Sequence, residues 1–166
     1  MEILRRHILS VRRQNVQDGA ALVVSSDSGE ILAYVGNIGA ESSARFVDGV
    51  RAMRQAGSTL KPFVYALAFD RRLLTPASLI DDSPLDIPVQ GGTYRPQNYD
   101  NRFHGMVTAR IALASSLNVP AVKTLNLTGV DSFVDTLRLL GFSSIRTPDF
   151  YGPSLALGSA DVTLID

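Results

Sequence analysis

From Gln55 to Leu67 the chain reads QAGSTLKPFVYAL, a serine and a lysine three residues apart ahead of an apolar run. The spacing of the apolar residues predicts a buried helix from Ser58 to about Arg72, with Pro62 within or just past its first turn. Ser58 and Lys61 then project from one face of the same turn. Since a serine is a poor nucleophile until a base takes its proton, a lysine kept neutral by burial or by neighbouring cations would activate it. The helix N-terminus would favour negative charge on an acyl oxygen.

Taken alone, this pair also fits a helix cap beside a surface lysine, because serines are common in the chain. A second element, Ser116-Leu117-Asn118, falls between two predicted helices, where a rigid turn can present a hydroxyl and a carboxamide to a cleft. That element alone equally fits a cap for the following helix. Neither motif by itself separates an active site from ordinary helix ends.

Working outward, the residues before Gln55 predict a helix over 2–14 and a β-hairpin. Two β-rich runs, 20–24 and 30–35, flank Ser25-Ser26-Asp27-Ser28-Gly29, which suits a tight turn. After Leu67, four prolines and two adjacent glycines predict a long irregular connection over 75–105. Further helices are predicted over 108–115, 120–127 and 131–140, with Thr108 as N-cap and with Gly129 and Gly141 as stops. The last residues, 161–166, read like a helix just beginning after Ser159, which suggests a cut chain.

Composition excludes several classes of function. Sixteen basic and sixteen acidic residues leave no net charge, so no nucleic-acid partner is expected. There is no cysteine for a disulfide or a thiolate metal site. Neither His7 nor His104 has a second ligand nearby, so we expect no metal and no cofactor. No apolar run reaches the length of a membrane span, and residues 1–6 lack the apolar stretch of a signal peptide.

The strings around these motifs resemble class A penicillin-binding proteins, most closely the 1C kind. The likeness rests on QAGSTLKPFVYAL (55–67), YRPQNYD (94–100), FHG (103–105) and ALASSLNVPAV (112–122), which occur in the family's order. The hairpin string GEILAYVG (29–36) also fits the strands that precede the family's serine. The resemblance extends from about residue 18 to the end of the chain. It implies an α+β fold, an incomplete penicillin-binding protein/serine β-lactamase-like transpeptidase domain with an antiparallel sheet and helices, predominantly helical after the N-terminal hairpin.

The resemblance also implies a role for each motif residue. Ser58 would attack a D-Ala-D-Ala stem peptide and form an acyl-enzyme, with Lys61 as its base. Ser116 would relay a proton to the leaving D-alanine, while Asn118 would hold Lys61 and bind the substrate amide. A second peptide's amine would then take the acyl group and crosslink peptidoglycan. β-Lactam antibiotics would acylate the same serine, and the parent protein would work at the periplasmic face of the bacterial inner membrane.

One expected element is missing from the sequence. Neither Lys61 nor Lys123 is followed by Thr-Gly or Ser-Gly, so the third family motif, Lys-Thr-Gly, does not occur. Residues 1–166 are therefore expected to be a partial transpeptidase domain, truncated before that motif and nearly inactive alone. A non-catalytic β-lactam-binding sensor is the alternative function. A β-lactamase is a third option, which the lack of any glutamate after Asn118 disfavours.

Three other groups of residues have structural interpretations. Asp81-Asp82 is expected to form a turn or a helix cap. Tyr94, Asn98 and Phe103 are expected to fix the long loop over the cleft. In the family, the strands 20–24 and 30–35 pair with strands from the C-terminal half, so here their free edge is expected to support a homodimer.

Overall fold

The computed structural model describes residues 1–89 and 91–166. These residues form two compact units, Met1–Arg54 with Val162–Asp166, and Gln55–Asp161. No helix among the described residues has both the length and the apolar character needed to span a bilayer.

The first unit contains the predicted N-terminal helix and hairpin. Its elements are α1 (Glu2–Val11), β1 (Ala21–Val24) and β2 (Ile31–Val35). The α1 helix buries Ile8, and a salt bridge of 2.7 Å joins Arg5 to Glu41. Strands β1 and β2 pair antiparallel with a bulge after Val23, which confirms the predicted hairpin. Between them, the N–H of Ser25 donates to the carbonyl of Glu30 at 2.9 Å and closes the turn.

The second unit is built from helices around α4. Two-residue strands, β3 (Arg54–Gln55) and β8 (Asp161–Val162), fall where the residue ranges of the two units meet along the chain. Its helices are α2 (Lys61–Asp70), α3 (Ala109–Ala114), α4 (Asn118–Thr128), α5 (Val130–Leu139) and α6 (Pro148–Tyr151). Helix α4 packs against α2, α3, α5 and a 3-10 segment, Gly152–Leu157, so its side chains are buried on nearly all sides. Val119, Val122 and Leu125 are fully buried, and each such burial stabilises the fold by about 1.5–3 kcal/mol.

The predicted irregular connection over 75–105 is wrong in part. Apart from Gln90, which lies outside the described residues, it holds β4 (Leu79–Asp82), β5 (Ile87–Val89) and β6 (Gly92–Tyr94) and reaches β7 (Gly105–Thr108). Strand β4 pairs antiparallel with β7, and β5 with β6. Asp81 and Asp82 belong to β4, so their assignment to a turn or cap is also wrong. Along β4 exposed and buried residues alternate, which turns Asp82 inward.

Helix boundaries agree with the sequence except where a cap or a distant segment decides them. Thr108 caps α3 by accepting a hydrogen bond from the N–H of Ile111, as predicted. Helix α4 begins at Asn118, two residues before the predicted start, and ends at Thr128, followed by the predicted stop Gly129. Instead of beginning a helix after Ser159, residues 161–162 form β8. The fold class nevertheless stands as predicted, helices with small antiparallel sheets.

Candidate active site

The centre of the candidate site is the buried ammonium group of Lys61. Lys61 is the first residue of α2 and is 1% exposed. Its Nζ lies 2.6 Å from the carbonyl oxygen of Ser116, 3.0 Å from the Ser116 hydroxyl and 2.6 Å from Oδ1 of Asn118. Three acceptors satisfy the three donors of an ammonium group. If the amine is neutral, its lone pair can instead accept the Ser116 hydroxyl proton.

Burial lowers the pKa of Lys61 from its ordinary 10.5 to about 8. Among the described residues no carboxylate forms a salt bridge with Lys61 that would offset the loss of hydration. At pH 7 a pKa of 8 leaves about one amine in ten neutral, against roughly one in 3,000 at a pKa of 10.5. The site therefore holds a lysine that can take up a proton near neutral pH.

Ser58 lies in a tight turn ahead of α2. The predicted helix start is wrong here, because Gly57–Leu60 forms a 3-10 turn and the α-helix begins at Lys61. In a 3-10 turn residues three apart lie on the same face, so the backbone allows Ser58 and Lys61 to share one face of this turn. The N–H of Lys61 donates to the Ser58 carbonyl, and the Ser58 side chain is exposed. Within the described residues the Ser58 hydroxyl makes no hydrogen bond, to Lys61 or to any other group.

A distant backbone segment sets the position of that turn. The N–H groups of Ala56 and Gly57 donate to the carbonyls of Ala160 and Gly158 at 2.9 and 3.0 Å. Gly57 has a left-handed backbone with φ of +58°. A Cβ on Gly158 would lie 1.9 Å from the Gly57 carbonyl oxygen, so the two backbones can approach this closely only because residue 158 is glycine.

Ser116 is the left-handed residue that ends α3. The N–H of Leu117 donates to the carbonyl of Ala112, and that of Ser116 to Leu113, which is a Schellman motif. Glycine usually occupies the left-handed position of this motif, yet here Ser116 has φ of +53°. The strained backbone aims both the carbonyl and the hydroxyl of Ser116 at Lys61.

Asn118 opens α4 and has its amide fixed at both ends. Its Oδ1 accepts from Lys61, and its Nδ2 donates to the Gln97 carbonyl at 2.7 Å. Its backbone N–H donates to Oδ1 of Asn98 at 2.8 Å. The structure thus brings Lys61 into direct contact with Ser116 and Asn118, which lie more than fifty residues later in the sequence.

The buried carboxyl group of Asp82, near this cluster, was not anticipated from the sequence. Asn98, which is 3% exposed, donates from Nδ2 to both carboxyl oxygens of Asp82, at 2.9 and 2.8 Å. Asp82 is fully buried. The signal that could have revealed it is the alternation of β4, because the inward Ile80 implies an inward side chain two residues later.

The remaining loop residues lie around a shallow cleft. A cleft of about 290 Å³ is lined by Ser116, Ser115, Asn98, Tyr99, Asp100, His104, Val107, Ile111 and Leu117. His104 lies 3.3 Å from Asp100, and among the described residues no group of three metal-binding side chains occurs. Burial raises the pKa of Tyr94, and Phe103 is exposed. Of the three residues expected to fix the loop, Asn98 makes the hydrogen bonds that do so.

Comparison with known sequences points to one family. The family model described as penicillin binding protein transpeptidase domain matches residues 19–152. Penicillin-binding protein 1C of Escherichia coli is 40% identical over 151 residues, covering 89% of this chain and 19% of that protein. Penicillin-binding protein 1A of Neisseria meningitidis serogroup A is 33% identical over 157 residues, or 93% and 19%. The chain thus spans about a fifth of the length of these curated relatives.

Solved structures give the same result. Penicillin-binding protein 1A from Haemophilus influenzae superposes with a TM-score of 0.77 at 33% identity, covering 90% of this chain and 22% of that one. PonA1 from Mycobacterium tuberculosis in complex with penicillin V has a TM-score of 0.74 at 21% identity, covering 97% and 46%, and supports the fold alone. The chain belongs to the penicillin-binding protein transpeptidase domain family.

Proposed function

We propose that this chain is the part of a peptidoglycan D,D-transpeptidase that carries the acylating serine; its sequence contains no Lys-Thr-Gly motif. The observation that carries the proposal is the buried Lys61, which lies three residues after Ser58 in the sequence. Its pKa is lowered to about 8, and its amine contacts Ser116 and Asn118. A buried lysine with a lowered pKa is partly neutral near pH 7 and can act as a base, unlike a lysine on the surface. The parent protein acts at the periplasmic face of the bacterial inner membrane.

In the first step Ser58 Oγ attacks the carbonyl carbon of the penultimate D-alanine in a stem peptide. The Oγ–H proton passes to the neutral amine of Lys61, and negative charge develops on the carbonyl oxygen. The N–H of Ser58 lies in the turn before α2, where a hydrogen bond and the helix N-terminus favour that charge.

In the second step the tetrahedral intermediate collapses. The carbon–nitrogen bond breaks, the terminal D-alanine leaves as an amine, and the proton reaches its nitrogen from Lys61 through the Ser116 hydroxyl. The 3.0 Å contact of Lys61 Nζ with Ser116 Oγ supports this relay. Asn118 keeps Lys61 in position through its hydrogen bond and forms a second hydrogen bond with the substrate amide. The amine of a second stem peptide then attacks the ester carbon and the bond from that carbon to Ser58 Oγ breaks. The proton of the amine passes through the neutral Lys61 to Ser58 Oγ, and the new amide bond is the crosslink.

β-Lactams acylate Ser58 by the same first step and remain attached. The test uses the full-length protein that contains this chain, incubated with a fluorescent penicillin. Ser58→Ala should abolish labelling, whereas Ser132→Ala, on α5, should label as the unmodified protein does. Labelling that persists in Ser58→Ala would refute the assignment of the nucleophile. Crosslinking of stem peptides by the unmodified protein distinguishes a transpeptidase from a sensor that only binds.

A further inference from the structure

The buried carboxyl group of Asp82 has no assigned role. Asp82 lies in β4 opposite Gly105 of β7, and its side chain is completely buried. Both oxygens accept hydrogen bonds, from Asn98 Nδ2 and, for Oδ2, from the backbone N–H of His104 at 2.9 Å. Within residues 1–89 and 91–166 no cation forms a salt bridge with it. Burying an acidic group without a cation costs free energy, so the hydrogen bonds to neutral donors are the interactions that keep Asp82 in the interior.

Asn98 connects Asp82 to the start of α4. Its Nδ2 faces Asp82 and also donates to the Arg102 carbonyl at 2.8 Å, which orients the amide unambiguously. Oδ1 therefore points the other way, where it accepts from the backbone N–H groups of Asn118 at 2.8 Å and Val119 at 3.4 Å.

Helix α4 depends on this amide for its cap. Its own N-cap residue, Leu117, has no side-chain acceptor, and the first N–H groups of a helix need one from elsewhere. Asn98 supplies it from a loop some twenty residues earlier. Its neighbour Gln97 accepts from the Asn118 side chain. The Gln97–Asn98 segment thus fixes both the backbone and the amide of the residue that touches Lys61.

We propose that Asp82 and Asn98 are positioning residues for acylation: Asp82 orients the Asn98 amide, and Asn98 holds Asn118 where it accepts a hydrogen bond from Lys61. This rests on the proposed function, in which Lys61 activates Ser58. The pair touches neither the nucleophile nor its base directly. Its loss displaces Asn118, and displacements of about 1 Å at an active site reduce rates by about 100-fold.

The test measures penicillin acylation of the full-length protein and separates the noncovalent dissociation constant from the acylation rate constant. Asp82→Asn should lower the rate constant about 10- to 100-fold, because an amide at position 82 sets donor against donor at Asn98 or at the His104 N–H. The dissociation constant should stay within about threefold. Asp81→Asn is the matched control: Asp81 is the next residue of β4, exposed and paired with Lys123, and its change should leave both constants unaltered.

A swapped pair distinguishes positioning from simple stabilisation. In the double variant Asp82→Asn with Asn98→Asp, an amide at 82 can again donate to a carboxylate at 98, which can still cap α4. Recovery should be partial, because the carboxylate cannot donate to the Arg102 carbonyl. The acylation rate constant of the double variant should be at least about tenfold higher than that of the slower single variant. Three outcomes would overturn the proposal. They are an unaltered rate constant in Asp82→Asn, a double variant as slow as the single variants, and failure of all three variants to fold. If the unmodified protein is not acylated at Ser58, it is the proposed function that fails.

Discussion

The left-handed backbone of Ser116 predicts an inverted order of stability between alanine and glycine. An L-residue in this conformation costs about 1–2 kcal/mol, which glycine avoids, while glycine loses about 0.5–1 kcal/mol more conformational entropy on folding. Ser116→Gly should therefore be more stable than Ser116→Ala by about 0.5–1 kcal/mol. Both variants lack the hydroxyl that contacts Lys61, so the comparison isolates the backbone term.

Thermal unfolding of the two full-length variants, followed by circular dichroism, measures this difference. The control is Ala66→Gly on the exposed side of α2, where helical backbone should give the usual order, glycine being less stable by about 1 kcal/mol. If glycine is as unfavourable at 116 as at 66, Ser116 does not have the left-handed conformation, and the Schellman motif that aims it at Lys61 is refuted. Both variants at 116 should also acylate more slowly than the unmodified protein.

Four further outcomes are expected. With Lys61 at a pKa of about 8, the acylation rate should rise about tenfold per pH unit below roughly 7.5 and level off above 8, because only the neutral amine accepts a proton; a flat profile from pH 6 to 8 would contradict this. Gly158→Ala should prevent folding or lower the melting temperature sharply through its clash with Gly57, whereas Ala66→Ser should have little effect. The 166-residue chain alone should be acylated at least about 100-fold more slowly than the full-length protein; equal rates would show that it needs no further oxyanion donor. The same chain should dimerise through the hairpin strands in light scattering, and Val23→Pro should abolish the dimer while Val23→Thr preserves it; a monomer, or a dimer that survives the proline, would refute the edge pairing.

The four proposed site residues could be selected from the sequence because their strings are distinctive, but their conformations could not. A serine–lysine spacing of three fits an α-helix as well as the 3-10 turn that Ser58 adopts. That turn is specified by hydrogen bonds to Gly158 and Ala160, which no local pattern reports. Ser116 was even harder to anticipate, since glycine or asparagine is the usual signal for a left-handed helix end.

The strands between α2 and α3 were missed for a related reason. Prolines and paired glycines dominate the local signals there, whereas β4 finds its partner β7 more than twenty residues later. Asp82 was misassigned with them, because two adjacent aspartates are typical of turns and caps. The alternation beginning at Ile80 was the weaker signal, yet it is the one that the structure follows.

The contact between Gly57 and Gly158 implies that the turn carrying Ser58 forms late in folding. These residues are separated by about a hundred positions, and closing a loop of that length costs about 4 kcal/mol in chain entropy by the logarithmic law. Helices α2 and α4 can form and begin to pack while that loop is still open, since their contacts are closer in sequence. The turn that presents Ser58 is complete only once the loop has closed. During refolding, reactivity toward a penicillin should therefore lag behind the return of helical signal, and the lag would time the closure itself.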